Sequence, residues 1–350
     1  MDGEDRTLGR AAGRGLRLGI DTVDTQAAAR TLNRSGRRFV VVHAASDWHP
    51  SVATGDNGFF PKLTAELAGQ GIEARLVRAR SRPADILSDP EAGHIHLKIG
   101  AMPGYAPNLL HVNQGYIQGF WYLDELGTHA NSSLRFAQFC ADRVNRGHAE
   151  YFFNGVTGWM LRNNVSNSPQ AERRPDLLEP ARAVVFTQEI EFQRSRAHYL
   201  TNEQMIRTAA EFDRRRLVYV KPHPHQSKAA LRDILAVTRD YQNVRVCEAS
   251  VHDLIEVSDI AVTQNSAAGF EALMQKKPVV TCARSDYHGA TLTARTAGDL
   301  RDALEFGPAA MEGFAYEKFF YWFLSRNLLE PVKESFAERA VARIRDKAFL

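Results

Sequence analysis

The sequence predicts an α/β protein of two doubly wound, parallel-sheet domains with a cleft between them. Three observations predict it. Short apolar runs of strand character alternate with helical stretches over short connections, from Arg38 to Cys282. A polar segment over residues 163–180, rich in Asn, Ser and Pro, divides that alternation in two. And 350 residues exceed one average domain.

Composition narrows the class. The chain is 44% hydrophobic and 24% charged, ordinary for a globular protein that needs no disulfide or metal staple. Cys140, Cys247 and Cys282 are far apart and odd in number, without CxxC or Cys/His zinc spacing, so they read as reduced thiols of a cytosolic protein. A net charge of +3 gives no argument for nucleic acid as a partner. No run of eighteen apolar residues suggests a transmembrane helix, and the N-terminus lacks an apolar signal core.

In chain order, residues 1–37 form a basic leader, expected to be partly disordered, with arginines such as Arg6, Arg10, Arg14 and Arg17. A short helix over Val23 to Leu32 follows. The first domain runs over 38–162. Its strands are expected at Arg38 to Ala44, Gly71 to Arg78, His94 to Ile99 and Leu109 to Asn113, with helices at Pro61 to Gly69 and Pro83 to Leu87. Residues 114–131 read as a long loop rich in Gly and aromatics, then a helix from Ser132 to Arg146, capped by Asn131 or Ser132. Tyr151 to Met160 is ambiguous. After the 163–180 linker, the second domain covers 181–306. Its strands are Ala183 to Phe186, Leu217 to Val220, Val244 to Cys247, Asp259 to Thr263 and Pro278 to Cys282. Its helices are Thr201 to Arg215, Ser227 to Thr238, Val251 to Val257, one beginning at Ser266, and Asp299 to Phe306. Residues 307–350 are helical, interrupted at Pro331. Their aromatics, Phe314 to Phe323, are too many for one stripe and are expected to pack on two surfaces.

The chemistry concentrates at two strand ends. Leu217 to Val220 leads into Lys221-Pro222-His223-Pro224, where the prolines stop the ladder and hold the chain extended. Residues i and i+2 then project together, which pairs Lys221 with His223. The Asp259 strand breaks at Gln264-Asn265-Ser266, and a helix starts with Ala267, Ala268 and Gly269, leaving backbone N–H groups for an anion. Ligands of open α/β sheets lie beyond such carboxyl ends. A cation, an imidazole, hydroxyls and a helix N-terminus together suit a phosphate or diphosphate. Each residue alone also has a plain role: a solvated lysine, a histidine on a loop carbonyl, a serine cap.

VKPHPHQ followed by TQNSAAGFEALMQKKPVVTCARSDYH resembles the capsule polysaccharide biosynthesis family. These are bacterial GT-B-type glycosyltransferases, including Kdo-transferring capsule enzymes. The resemblance is clearest over residues 181–304, with a weaker echo in Gly119 to Gly127. It implies a GT-B-like fold whose C-terminal helix crosses back to the first domain. It implies a nucleotide-sugar donor, CMP-linked by similarity to HP-motif transferases, a glycan or glycolipid acceptor, and a polysaccharide-assembly complex at the inner membrane surface. No cofactor beyond the donor is expected. A CDP-glycerol-type phosphotransferase and a non-catalytic nucleotide- or glycan-binding partner remain the alternatives.

Roles follow from what glycosyl transfer needs: charge at the leaving phosphate, a base for the acceptor hydroxyl, and alignment. Lys221, His223, Pro224, Asn265, Ser266, Ala267, Gly269, Glu271 and Arg284 are the donor-site candidates. His223 contacts phosphate and could serve as general acid, an adjacent phosphate favouring its charged form. Glu271 suits a ribose hydroxyl, or else complements the helix dipole. Asp124 or Glu125 is the first choice of base. Asp47 and His49 stand second, as acceptor-side residues, with Asp56 behind them. Ser132 and Ser133 hold acceptor hydroxyls or cap a helix. No DxD, P-loop or dinucleotide motif is present and no metal site is indicated, so metal-independent transfer is expected.

Overall fold

The computed structural model describes residues 19–100, 103–193 and 196–349. The first half of the expected basic leader, residues 1–18, lies outside the described residues. The chain divides after His94 into two compact units. This boundary falls elsewhere than the 163–180 segment, which is hydrogen-bonded within the second unit.

The first unit contains α1 (Gln26–Arg34), β1 (Phe39–Ala44), α2 (His49–Thr54), α3 (Phe60–Gly69), β2 (Glu73–Arg78) and α4 (Arg82–Leu87). Helix α1 begins three residues later than expected because Thr25 is its cap, accepting from Ala28 N at 3.2 Å. Strands β1 and β2 pair in parallel from Phe39↔Glu73 to Ala44↔Arg78. Val23, Ala29, Phe39, Val41, Val77, Ala84 and Leu87 form a core on one face. Helix α2 carries Pro50 in its first turn, where it costs no hydrogen bond.

The second unit opens with β3 (Ile95–Ile99), β4 (Leu109–Gln114) and β5 (Trp121–Asp124). β3 and β4 are parallel, whereas β5 runs antiparallel to β4 inside the stretch expected to be loop. The helix expected over 132–146 is replaced by short 3-10 turns, and the long helix is α5 (Arg146–Arg162), capped by Asn145. Ser132 is diverted from capping: its hydroxyl donates to Asp286 at 2.8 Å.

Then follow β6 (Ala181–Phe186), α6 (Asn202–Phe212), β7 (Leu217–Lys221), α7 (Lys228–Thr238), β8 (Val244–Val246), α8 (Val251–Val257), β9 (Ser258–Thr263), α9 (Ala267–Met274), β10 (Val279–Thr281), β11 (Leu292–Thr293) and α10 (Ala297–Ala310). Six strands form one sheet in the order β11-β10-β9-β6-β7-β8, every pair parallel. Its central strands read as continuous apolar runs because both faces are covered. Helices α11 (Tyr316–Phe320) and α12 (Phe336–Ala348) close the chain, with a π-helical stretch over Tyr321–Asn327 between them. The aromatics do meet two surfaces. Phe320 packs on Phe153 of α5 and on Phe270 of α9, at 5.4 and 5.1 Å between ring centroids. Helix α12 packs on β4 and β5 within the second unit.

Candidate functional site

The carboxyl ends of β7 and β9 meet in one cavity of the second unit. Lys221, Pro222, His223 and Pro224 line it from one side; Ser266, Ala267, Ala268 and Glu271 line it from the other. Parallel strands one position apart across β6 bring these ends to the same sheet edge. The third wall is Ser166, Asn167, Ser168 and Gln170, from the segment read as a linker.

This wall is held by polar contacts to the start of α8. Ser250 Oγ donates to Asn164 Oδ1 at 2.7 Å, Val251 N to Gln170 Oε1 at 2.9 Å, and Arg173 Nε to Asp253 Oδ1 at 2.7 Å. The cavity has about 70 Å³ of room. A second cavity, about 250 Å³, shares Asn167 and Ala267 with it. Tyr116, Thr128 to Asn131, Gln188, Ile190, Gln193, Ala197 and Asn265 complete that second lining. A larger concavity of about 390 Å³ carries Glu189, Glu191, Glu203 and Asp233, the wrong sign for phosphate.

His223 is held in one tautomer. Its Nδ1 accepts from His225 N at 3.1 Å, so the neutral ring carries its proton on Nε2, and burial holds its pKa below the usual histidine range. The Lys221 ammonium donates to Ala249 O at 2.8 Å and Glu248 O at 3.3 Å, leaving one of three N–H groups for a ligand. Ser266 caps α9, accepting from Ala268 N at 3.2 Å. Asn265 Nδ2 donates to Arg284 O at 2.8 Å and lines the larger cavity.

Glu271 is not a dipole partner in water. It is fully buried, and burial pushes its carboxyl up to about 8. Oε1 accepts from Ser166 Oγ at 2.8 Å, while Oε2 has no partner among the described residues. A neutral acid here would not repel a phosphate; it can donate to one.

Gly269 has a different reason from the one expected. A Cβ there would lie 2.7 Å from Thr263 Cγ2 and 2.8 Å from Tyr287 Oη. The missing side chain admits the Tyr287 ring, whose hydroxyl donates to Ser266 O at 2.8 Å, rather than a ligand.

The first-choice bases do not join this site. Asp124 is buried and its oxygens accept from Leu126 N (2.8 Å), Gly127 N (3.1 Å), Ser133 N (2.9 Å) and Ser133 Oγ (2.7 Å). It holds its own loop, and Gly127 is required because a Cβ would meet Asn131 Cβ at 2.8 Å. Glu125 pairs with Lys347 at 2.8 Å. Ser132 and Ser133 are likewise engaged, by Asp286 and Asp124. Arg284 donates to Ala130 O at 3.1 Å and Asn131 Oδ1 at 2.9 Å and lines neither cavity. Asp47 and His49 lie in the first unit, Asp47 exposed at the end of β1 and His49 buried at the start of α2, its Nε2 without a partner among the described residues.

Sequence reasoning missed Ser166, Asn167, Tyr116, His129 and Gln188. Only Gln188 carried a signal, since it follows the carboxyl end of β6. Among the described residues no cluster of three or more His, Cys, Asp or Glu could hold a metal, and no helix is long and apolar enough to cross a membrane.

Residues 183–304 match the family model of capsule polysaccharide biosynthesis proteins. No curated protein sequence matches the chain. Among solved structures, the β-Kdo 2,7 transferase of Thermosulfurimonas dismutans KpsC is 15% identical, with 75% of this chain and 89% of that one covered and a TM-score of 0.49. The β-Kdo 2,4 transferase of the same protein is 18% identical, covering 76% and 89%, TM-score 0.47. The UDP-GlcNAc 2-epimerase of Methanocaldococcus jannaschii is 10% identical, covering 89% and 99%, TM-score 0.37.

Proposed function

We propose that the protein is a GT-B-type, metal-independent glycosyltransferase of surface polysaccharide synthesis, a reading supported by the match of residues 183–304 to the capsule polysaccharide biosynthesis family model. Its donor is a nucleotide sugar, best a CMP-linked 3-deoxy-ulosonic acid such as Kdo, and its acceptor a glycan or glycolipid at the inner membrane face. The acceptor hydroxyl attacks the anomeric carbon, the bond to the phosphate oxygen breaks, and the nucleotide leaves. The observation that carries this reading is the single cavity lined by His223, Lys221 and the start of α9. His223 Nε2–H and the remaining Lys221 N–H donate to phosphate oxygens, and Glu271, protonated, donates as a third group. The 250 Å³ cavity beyond Asn167 and Ala267 takes the sugar. Asp124 is engaged by its own loop and Glu125 by Lys347, so the hydroxyl proton passes to solvent water as the new bond forms rather than to either carboxylate.

That engagement also favours a second reading, a nucleotide-binding partner of a synthase without turnover of its own. Thermal-shift measurements with CMP, CDP, UDP and GDP test both. A ligand at about 100 times its Kd stabilises by roughly 2.7 kcal/mol. Cytidine nucleotides should give the largest shift, and His223→Ala should abolish it. A response to UDP or GDP alone removes the CMP-sugar donor; no response to any nucleotide removes the transferase. Binding without product from CMP-Kdo and an acceptor supports the second reading.

A further inference from the structure

Asp286 lies in the turn after β10 and is 2% exposed. Three hydroxyls donate to its carboxylate: Tyr116 Oη at 2.8 Å, Tyr122 Oη at 2.7 Å and Ser132 Oγ at 2.8 Å. All three come from the 116–132 segment, distant in sequence. Two positions earlier, the Arg284 guanidinium bonds Ala130 O and Asn131 Oδ1 in that same segment. One position later, Tyr287 donates to Ser266 O at the cap of α9. One turn therefore joins the 128–131 wall of the larger cavity to the helix start opposite it.

Burying a carboxylate is costly, and apolar residues would fill the same space more cheaply. Three directed donors on two oxygens instead fix a single geometry. Asp286 lines neither cavity, so it acts through what it holds.

We propose, on the transferase reading above, that Asp286 is a positioning residue. It sets the separation between the 128–131 wall and the N-terminus of α9, and thereby the fit of the donor's sugar, without touching the donor. The nucleotide phosphate, held by β7 and α9, does not depend on it. The consequence is a split: Asp286 governs how much tighter a nucleotide sugar binds than the bare nucleotide.

The carboxylate faces the phenols of Tyr116, Tyr122 and Tyr287 and the Ser132 hydroxyl, with Arg284 and Arg135 as the neighbouring cations and His129 against both tyrosine rings. Burial pushes Asp286 up to about 6, whereas burial keeps His129 neutral down to about 4. Protonation of Asp286 below about pH 6 thus removes an acceptor while His129 stays uncharged.

Calorimetry with CMP and with CMP-Kdo, on wild type and Asp286→Asn, tests the assignment. The asparagine keeps the shape but turns one acceptor into a donor facing hydroxyls. CMP affinity should stay within about twofold of wild type, as for uncoupled sites. The ratio of CMP-Kdo to CMP affinity should fall about tenfold. Wild type should lose that ratio below about pH 6, and the variant should show no such limb. Equal weakening of both ligands, or an unchanged ratio, overturns the assignment. If Asp286→Asn does not fold, Tyr122→Phe and Ser132→Ala each remove one donor and should show the same split at smaller size; equal weakening in both overturns it too. Wild type that binds neither ligand overturns the transferase reading and this assignment with it, an outcome distinct from a failed split.

Discussion

At Glu271 the two carboxyl oxygens live differently. One accepts from Ser166, and the other is buried without a partner. Burial raises the group to about 8 from an ordinary 4.5. The folded state therefore binds a proton that the unfolded state has released, and stability falls as pH rises through 8. Asp286, raised to about 6, acts in the same sense but only at lower pH, whereas burial lowers His94, His111, His129, His223 and His252, and these oppose it mainly below 6.5. Between pH 7 and 8 Glu271 dominates. Urea denaturation should show about 1 kcal/mol less stability at pH 8 than at pH 7, and Glu271→Gln should flatten that slope. A wild-type stability that rises over this interval would refute the protonated carboxyl. Gly269 makes a second residue-scale prediction. Gly269→Ala forces a methyl against Thr263 and the Tyr287 hydroxyl, an overpacking expected to cost about 1–3 kcal/mol by the same measurement.

The elements legible in the sequence were those with one strong local signal. The β7 run ending in two prolines, the β9 run breaking before Ser266, and the helices expected to begin at Thr201 and Ser227 all stand where expected to within a residue or so at their starts. What failed were elements decided by tertiary contacts. Strand β5 is only four residues long and exists because β4 pairs with it in antiparallel fashion. Helix α5 carries Gly147, Gly155 and Gly158, each costing roughly 1 kcal/mol of propensity; its packing on α11 outweighs that. The 163–174 stretch looked like a linker because it is polar, yet those polar groups are its anchors. Asp253, 1% exposed, accepts from Arg173 Nε at 2.7 Å and Arg174 N at 2.6 Å. The site residues followed the same division. Strand-end logic placed Lys221, His223 and Ser266 together, and they do line one cavity, whereas the loop donors that engage Asp124 are invisible in sequence. Asp253→Ala should cost about 2 kcal/mol, less than a fully buried pair because Arg173 is partly exposed and also bonds Glu256. Hydrogen exchange should quicken over 163–174 and stay unchanged in α7. Uniform quickening would mean that the strap is not held locally.

Within the second unit, the C-terminus closes what β5 leaves open. An edge strand exposes unpaired backbone groups. Here Trp121 and Leu329 exchange two backbone hydrogen bonds, of 2.8 and 2.9 Å, and α12 lies over β4 and β5. Two kinds of contact hold α12. Phe336, Ala340, Val341 and Ile344 are buried, and Lys347 pairs with Glu125 in a partly exposed ion pair. Magnitudes separate them. Truncating a buried Ile costs about 2–5 kcal/mol, while an exposed pair contributes about 1 kcal/mol or less. Ile344→Ala should therefore destabilise the protein several times more than Lys347→Ala in parallel urea titrations. The reverse order would mean that charge, not apolar burial, docks the helix. Neither substitution should alter CMP affinity, because β7, α9 and residues 166–170 build the phosphate cavity and no α12 residue lines it. A loss of CMP binding in Ile344→Ala that exceeds its loss of stability would instead tie the donor site to the C-terminal helix.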